Sequence, residues 1–155
     1  FEATNNALAL QRINATNTHA GGWEKSELRG LLNTGDLWSL LPCELQSKAK
    51  AVTKMTDNKG GGSAGAPSAT TDKFFLLSMT EVYGDLQSDG PQYEYFKSKG
   101  VTKSNYSGAS LSGYYYWTRS VSPSSSENFR CVYNYGDWAG NSATTNRGVF
   151  PAWCL

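Results

Sequence analysis

The last third of this 155-residue chain is nearly stripped of charge, which restricts what it can fold into. Residues 104–155 hold five of the 27 charged side chains: Arg119, Glu127, Arg130, Asp137 and Arg147. Half of that stretch is Ser, Asn, Gly and Tyr, and residues 110–155 carry 10 of the 20 aromatics. Three runs within it read as strands: 114–120, 129–133 and 149–154. In the first, alternate residues face opposite sides of a sheet, and both sets contain aromatics. A sheet face turned to water is ordinarily polar, so one face is either covered by a loop or kept for a ligand. Tyr and Trp offer rigid, amphipathic contact area, and Ser, Asn and Gly adapt their hydrogen bonding; together they form the palette of antibody-type binding surfaces. The plain alternative is an aromatic core with a serine-rich turn at 122–126.

Helical signals lie in the first third. A run from Glu24 to Asn33 has acids in its first turn and Leu28, Leu31 and Leu32 on one face, with Trp23 as a lid. Asp36 can cap a second short helix that turns Leu37, Leu40 and Leu41 inward. Pro42 ends it and can start a further turn. Residues 50–56 alternate as a strand, 57–71 read as a flexible internal loop, and 73–78 as a strand buried on both faces. Residues 81–99 read as irregular, anchored by Tyr93, Tyr95 and Phe96. Short helices followed by a dominant sheet give an α+β class in one domain spanning 1–155.

Several functions are disfavoured. The net charge of +1 supplies no drive toward nucleic acid. No apolar run approaches the ~20 residues of a membrane helix. The chain opens Phe-Glu-Ala and reads as a mature chain or an excised domain. Its histidine, His19, sits in a polar stretch and reads as a solvated loop residue rather than a catalytic base. The three cysteines form no zinc pattern. Cys131–Cys154 is the pair to consider for a disulfide, and reduced, buried cysteines are an equal alternative. Gly60-Gly61-Gly62 lacks what a phosphate loop needs. Glu81, Asp85 and Asp89 are spaced by four and read as a solvated acidic loop, with calcium as the minor alternative. No cofactor and no metal are expected.

A series of blocks then points to a family. They are Gly21-Gly22-Trp23, Ser26-Glu27-Leu28-Arg29, Leu41-Pro42, Val52-Thr53-Lys54, Phe75-Leu76-Leu77-Ser78, Glu81-Val82-Tyr83-Gly84, Tyr116-Trp117 with Arg119-Ser120, and the run from Gly148 to Trp153. This set resembles a bacterial and phage domain family of unknown function with a C-type lectin-like fold. It is similar to the variable proteins of diversity-generating retroelements. The resemblance implies two short N-terminal helices and a mixed, mainly antiparallel sheet with long loops, whose last strand returns beside the first. It implies a core of Trp23, Leu28, Leu32, Leu77, Trp117, Phe129, Val132, Val149 and Trp153, with Arg119 as a buried or half-buried partner to carboxylate or backbone carbonyl groups.

In such proteins, rewritten adenine codons near the C-terminus place changing residues on an exposed, ligand-binding face. The positions within 114–146 that fit are Tyr114, Tyr116, Ser122, Ser124, Asn128, Arg130, Tyr133, Asn134, Tyr135, Asp137, Asn141, Ser142, Thr144, Thr145 and Asn146. Trp138 is unreachable by that chemistry and would be a fixed contact. The implied function is non-enzymatic recognition of a protein or glycan on a cell surface, from a bacterial surface or a phage particle. The calcium-dependent sugar motifs of animal lectins do not occur. A static lectin-like or structural surface domain is the alternative. An enzyme of the formylglycine-generating type, using Cys131 or Cys154, is the remote one.

Overall fold

The computed structural model describes residues 9–57, 67–86, 89–111 and 113–155. Ser26 accepts a hydrogen bond from the Arg29 amide and caps α1 (Glu27–Asn33), whose Leu28 and Leu32 are buried. The helix therefore starts one turn later than the sequence suggests, and Trp23 packs in the turn before it. Gly35, not Asp36, occupies the cap of α2 (Asp36–Ser39). Pro42 leads into α3 (Cys43–Lys48), as expected. Asn33 closes α1 in an unforeseen way: its amide donates to Phe74 O at 2.8 Å and its Oδ1 accepts from the amides of Lys73 and Phe74.

The main sheet contains β1 (Leu10–Gln11), β4 (Tyr116–Val121), β5 (Asn128–Val132), β6 (Trp138–Ser142) and β7 (Arg147–Gly148), in the order β1-β7-β4-β5-β6. β7 runs antiparallel to β1 and parallel to β4, and the other pairs are antiparallel. The last strand thus lies beside the first, pairing Gly148 with Leu10. A separate hairpin pairs β2 (Val52–Thr56) with β3 (Ser68–Asp72). The strand at 68–72 corrects the reading of 57–71 as one loop; 58–66, with the Gly60–Gly62 run, lies outside the described residues, as does the N-terminus to residue 8.

Two apolar clusters flank the sheet. Trp117, Val121, Phe129, Cys131 and Val149 join Ile13, Trp23, Leu28 and Leu32 in one. Tyr116, Val132 and Phe150 join Met79, Val82, Tyr83 and Phe96 in the other. Residues 74–77 alternate between them, with Phe74 and Leu76 in the first and Phe75 and Leu77 in the second. That run is buried on both sides as expected, yet it forms no ladder. It makes a single bridge, Phe75 to Ala152, because Asn33 and β4 take its other backbone groups. β4 shifts register between Trp117 and Val121, and the Arg119 amide turns instead to Leu77 O at 2.9 Å. Residues 149–154 likewise form bridges rather than the expected continuous strand.

The region expected to be irregular contains α4 (Met79–Tyr83) and α5 (Glu94–Ser98). Ser78 and Glu81 form a reciprocal capping box at the start of α4. Of the three anchors, Phe96 is buried, Tyr93 is half-buried and Tyr95 is exposed. The nine core positions implied by the resemblance are buried except Trp153, which is half-buried beside Phe74. The architecture is α+β with short helices and a mixed sheet.

Candidate functional site

The densest set of charges in the molecule is internal. Arg119 is fully buried, and each of its five donors is used. Nε donates to Thr56 Oγ1, Nη1 to Leu76 O and Glu81 Oε2, and Nη2 to Met55 O and Asp89 O, at 2.5–3.1 Å. Glu81 Oε1 faces the Lys54 ammonium, which also donates to Tyr93 at 2.8 Å. Burial alone would raise the Glu81 pKa; Arg119 and then Lys54 overcome it and hold the carboxyl below its ordinary range. Asp89 accepts from Thr80 and from Ser120 Oγ. Glu81 and Asp89 are therefore buried seam residues, which corrects their reading as a solvated loop; Asp85 alone is exposed, 3.8 Å from Lys103. With every Arg119 donor satisfied, this network joins β2, residues 76–81, Asp89 and β4.

The residues singled out for recognition fall into separate places. Tyr116 and Ser122 are 1% and 2% exposed, which removes both from the outer surface. Tyr116 faces the second core, and its hydroxyl donates to Ala109 O. Ser142 donates to Asn17 and lies 2.9 Å from Thr144 Oγ1, so these hydroxyls tie the sheet to the 14–18 loop. Asn141 accepts from Arg147. Thr145 is half-buried, and exposed Asn146 borders a 270 Å³ cavity with Leu10, Arg12, Glu27 and Leu31. Ser124 is exposed. Asn128 and Trp138 stand at opposite ends of the β5–β6 ladder, about 14 Å apart at ordinary strand rise.

The remaining positions gather at the β5–β6 hairpin. Tyr133, Asn134, Tyr135 and Asp137 form its turn, closed by Tyr133 N to Asp137 O at 2.7 Å and Gly136 N to Tyr133 O at 2.8 Å. Gly136 has φ +98°, and a Cβ there would lie 2.1 Å from Tyr106 O. The Tyr83 hydroxyl donates to Gly136 O at 2.5 Å from beneath. On this braced turn the rings of Tyr115, Tyr133, Tyr135 and Tyr106 follow one another at centroid spacings of 4.9, 6.0 and 6.4 Å. The Arg147 guanidinium covers Tyr115 at 5.1 Å. Tyr135 is 52% exposed, and Tyr114 and Tyr115 are each 40% exposed. Tyr114 leans instead toward Phe150.

Sequence reasoning overlooked Tyr106 and Tyr115. A strand running from 114 would set Tyr114 and Tyr115 on opposite faces, but β4 begins only at Tyr116, so Tyr114 and Tyr115 both reach solvent. Tyr106 carried no signal beyond its Ser- and Gly-rich neighbours.

The cysteines and the histidine are placed as follows. Cys131 is buried, and burial pushes its thiol up to about 11, only partly opposed by Arg147. All three cysteines are free, so Cys131 and Cys154 are not bonded; Cys43 and Cys154 are exposed. His19 is 5% exposed, which corrects its reading as solvated. Its Nε2 meets Ser125 O, and its ring packs edge-on to Phe129. Among the described residues no three His, Cys, Asp or Glu side chains cluster to hold a metal. No helix among them is long and apolar enough to cross a membrane. A family model described as a domain of unknown function, DUF6273, matches residues 4–155. No curated protein and no solved structure matches the chain.

Proposed function

We propose that this chain, which belongs to the DUF6273 family of domains of unknown function, is a non-catalytic recognition domain that binds a protein or glycan at a cell surface. The observation that carries the reading is the run of tyrosine rings Tyr106–Tyr135–Tyr133–Tyr115 on a braced hairpin, with Tyr135 and Tyr115 exposed and Tyr106 and Tyr133 half-buried. Large amphipathic rings held in place before contact supply binding area at little entropy cost. The hairpin lies on a C-type lectin-like scaffold, and its exposed positions are those a retroelement rewrites in the variable proteins this chain resembles. The site of action is extracellular, on a bacterial surface or a phage particle, and neither cofactor nor metal takes part.

Peptide and glycan arrays probed with the purified chain test the reading. Alanine at both Tyr133 and Tyr135 should leave the protein folded with a modestly lowered thermal midpoint, since half-buried Tyr133 also packs against the first core. It should weaken any specific binder by about thirtyfold, as loss of central aromatic contacts does. Binders indifferent to the double variant would overturn the reading.

A further inference from the structure

Arg130 is the converse of Arg119. It projects from β5 opposite Gly140 and lies with its guanidinium 5.0 Å from the Trp138 ring centroid. Its Nε is buried without a hydrogen-bond partner, and no ion pair among the described residues includes it. The acids near it in sequence are turned elsewhere: Glu127 accepts from Asn17, and Asp137 accepts from the Trp138 amide. Burial pulls its pKa down, with only Cys131 opposing. Leaving such a donor unpaired is costly, and a fold that satisfies Arg119 completely has no evident need to do so.

The surroundings complete a small receptacle. Asn128 precedes Arg130 by two residues on the same face of β5. Gly140 carries no side chain, and a Cβ built there would meet Asn128 Nδ2 and Ser122 Oγ at 3.4 Å, so both groups border the space above it. We propose that this shelf, Arg130 with Asn128 over Gly140, binds a carboxylate supplied by an Asp or Glu side chain of a protein ligand. The inference rests on the recognition reading and names the chemistry of its ligand. With Nε enclosed, the Nη edge of the guanidinium is the side that meets the ligand, and it presents parallel donors that match the two oxygens of a carboxylate. The shelf holds one cation and so balances one negative charge; the nearby Lys103 is taken by Asp85. A sugar would need a free aromatic face, but Trp138 packs against the core and carries the guanidinium.

Titration with sodium acetate against sodium chloride at fixed ionic strength, followed by the Arg130 Nε–H and Asn128 side-chain resonances, tests it. Acetate should give a saturable shift that chloride does not. Arg130→Gln should weaken acetate binding about tenfold or more, and Arg130→Lys should restore only part, since it returns the charge without the fork. N-acetyl-glutamate methylamide should compete with acetate, and the glutamine analogue should not. Equal shifts with chloride, or unchanged acetate binding in a folded Arg130→Gln protein, would overturn the proposal. Glucuronate outcompeting the glutamate compound would overturn the protein source. Array binders that need Tyr133 and Tyr135 yet contain no acid would sink this inference and leave the recognition reading standing. Acetate binding in a protein whose array binders ignore the tyrosines would do the reverse.

Discussion

At the scale of single residues, the molecule treats the strand arginines Arg119 and Arg130 in opposite ways, and the difference separates framework from surface. Arg119 and Glu81 are 0% and 1% exposed and form a bonded pair, so removing either partner strands a charge. Glu81→Gln should therefore cost about 3–5 kcal/mol near neutral pH. The sign of its pH dependence follows from the lowered carboxyl pKa. A depressed folded-state pKa contributes stability that is fully present above the ordinary value of 4.5 and is lost as pH falls through the folded value. The gap between wild type and Glu81→Gln, measured by urea unfolding from pH 8 to pH 3, should hold at the upper end and narrow below about pH 4.5. A gap independent of pH would mean that Glu81 is not held as a paired carboxylate. Lys54 works in the other sense. Burial would lower its pKa, but bonds to Glu81 and Tyr93 raise it, so its contribution persists through neutral pH and fades only above 10.5.

At the scale of elements, the β5–β6 hairpin is where conformation bears on the proposed function. Gly136 holds a left-handed turn against the Tyr106 carbonyl and over the Tyr83 hydroxyl. Gly136→Ala should cost about 1–3 kcal/mol from backbone strain, with the further penalty of displacing the 106 segment. It should also split the tyrosine ladder, so binding should fall further than in Tyr135→Ala despite an intact set of rings. Calorimetry and array binding on the same samples check this; a variant as stable and as active as wild type would contradict it. The hairpin also shows what the sequence could and could not disclose. β5 was legible because Phe129 and Cys131 alternate with polar residues. β6, Trp-Ala-Gly-Asn-Ser, was missed because its small and polar residues carry no apolar alternation, and it is a strand by virtue of its partner. β3 was missed for the same reason: Ser-Ala-Thr-Thr-Asp follows a glycine-rich run and takes its identity from β2. The strand expected at 73–78 erred in the other direction. Its burial on both sides was legible, but Asn33 and β4 claim the backbone groups a ladder would need.

At the scale of the whole molecule, one sheet separates two cores, and the charge-poor third of the chain supplies most of that sheet. The α+β class agrees with expectation because short helical runs precede a sheet-rich third; the buried Arg119 and the pairing of the last strand with the first agree with what the resemblance implied, and composition alone did not disclose them. The surface was less legible. The same Tyr, Ser and Asn residues serve in the core at Tyr116, in loop ties at Ser142 and on the ladder at Tyr135, and only three-dimensional neighbours distinguish these roles. The structure also narrows where variation can occur without loss of the fold. The central claim is that the hairpin face is the recognition surface and the seam its fixed support. The most direct test is to sequence sibling copies of this gene, and populations grown from one clone. The account predicts substitutions at adenine-bearing codons for Tyr133, Asn134, Tyr135, Asn128 and Arg130, with Glu81, Tyr116, Trp117, Arg119 and Gly136 constant. Substitutions spread evenly over the chain, or concentrated on the side away from the hairpin, would contradict it.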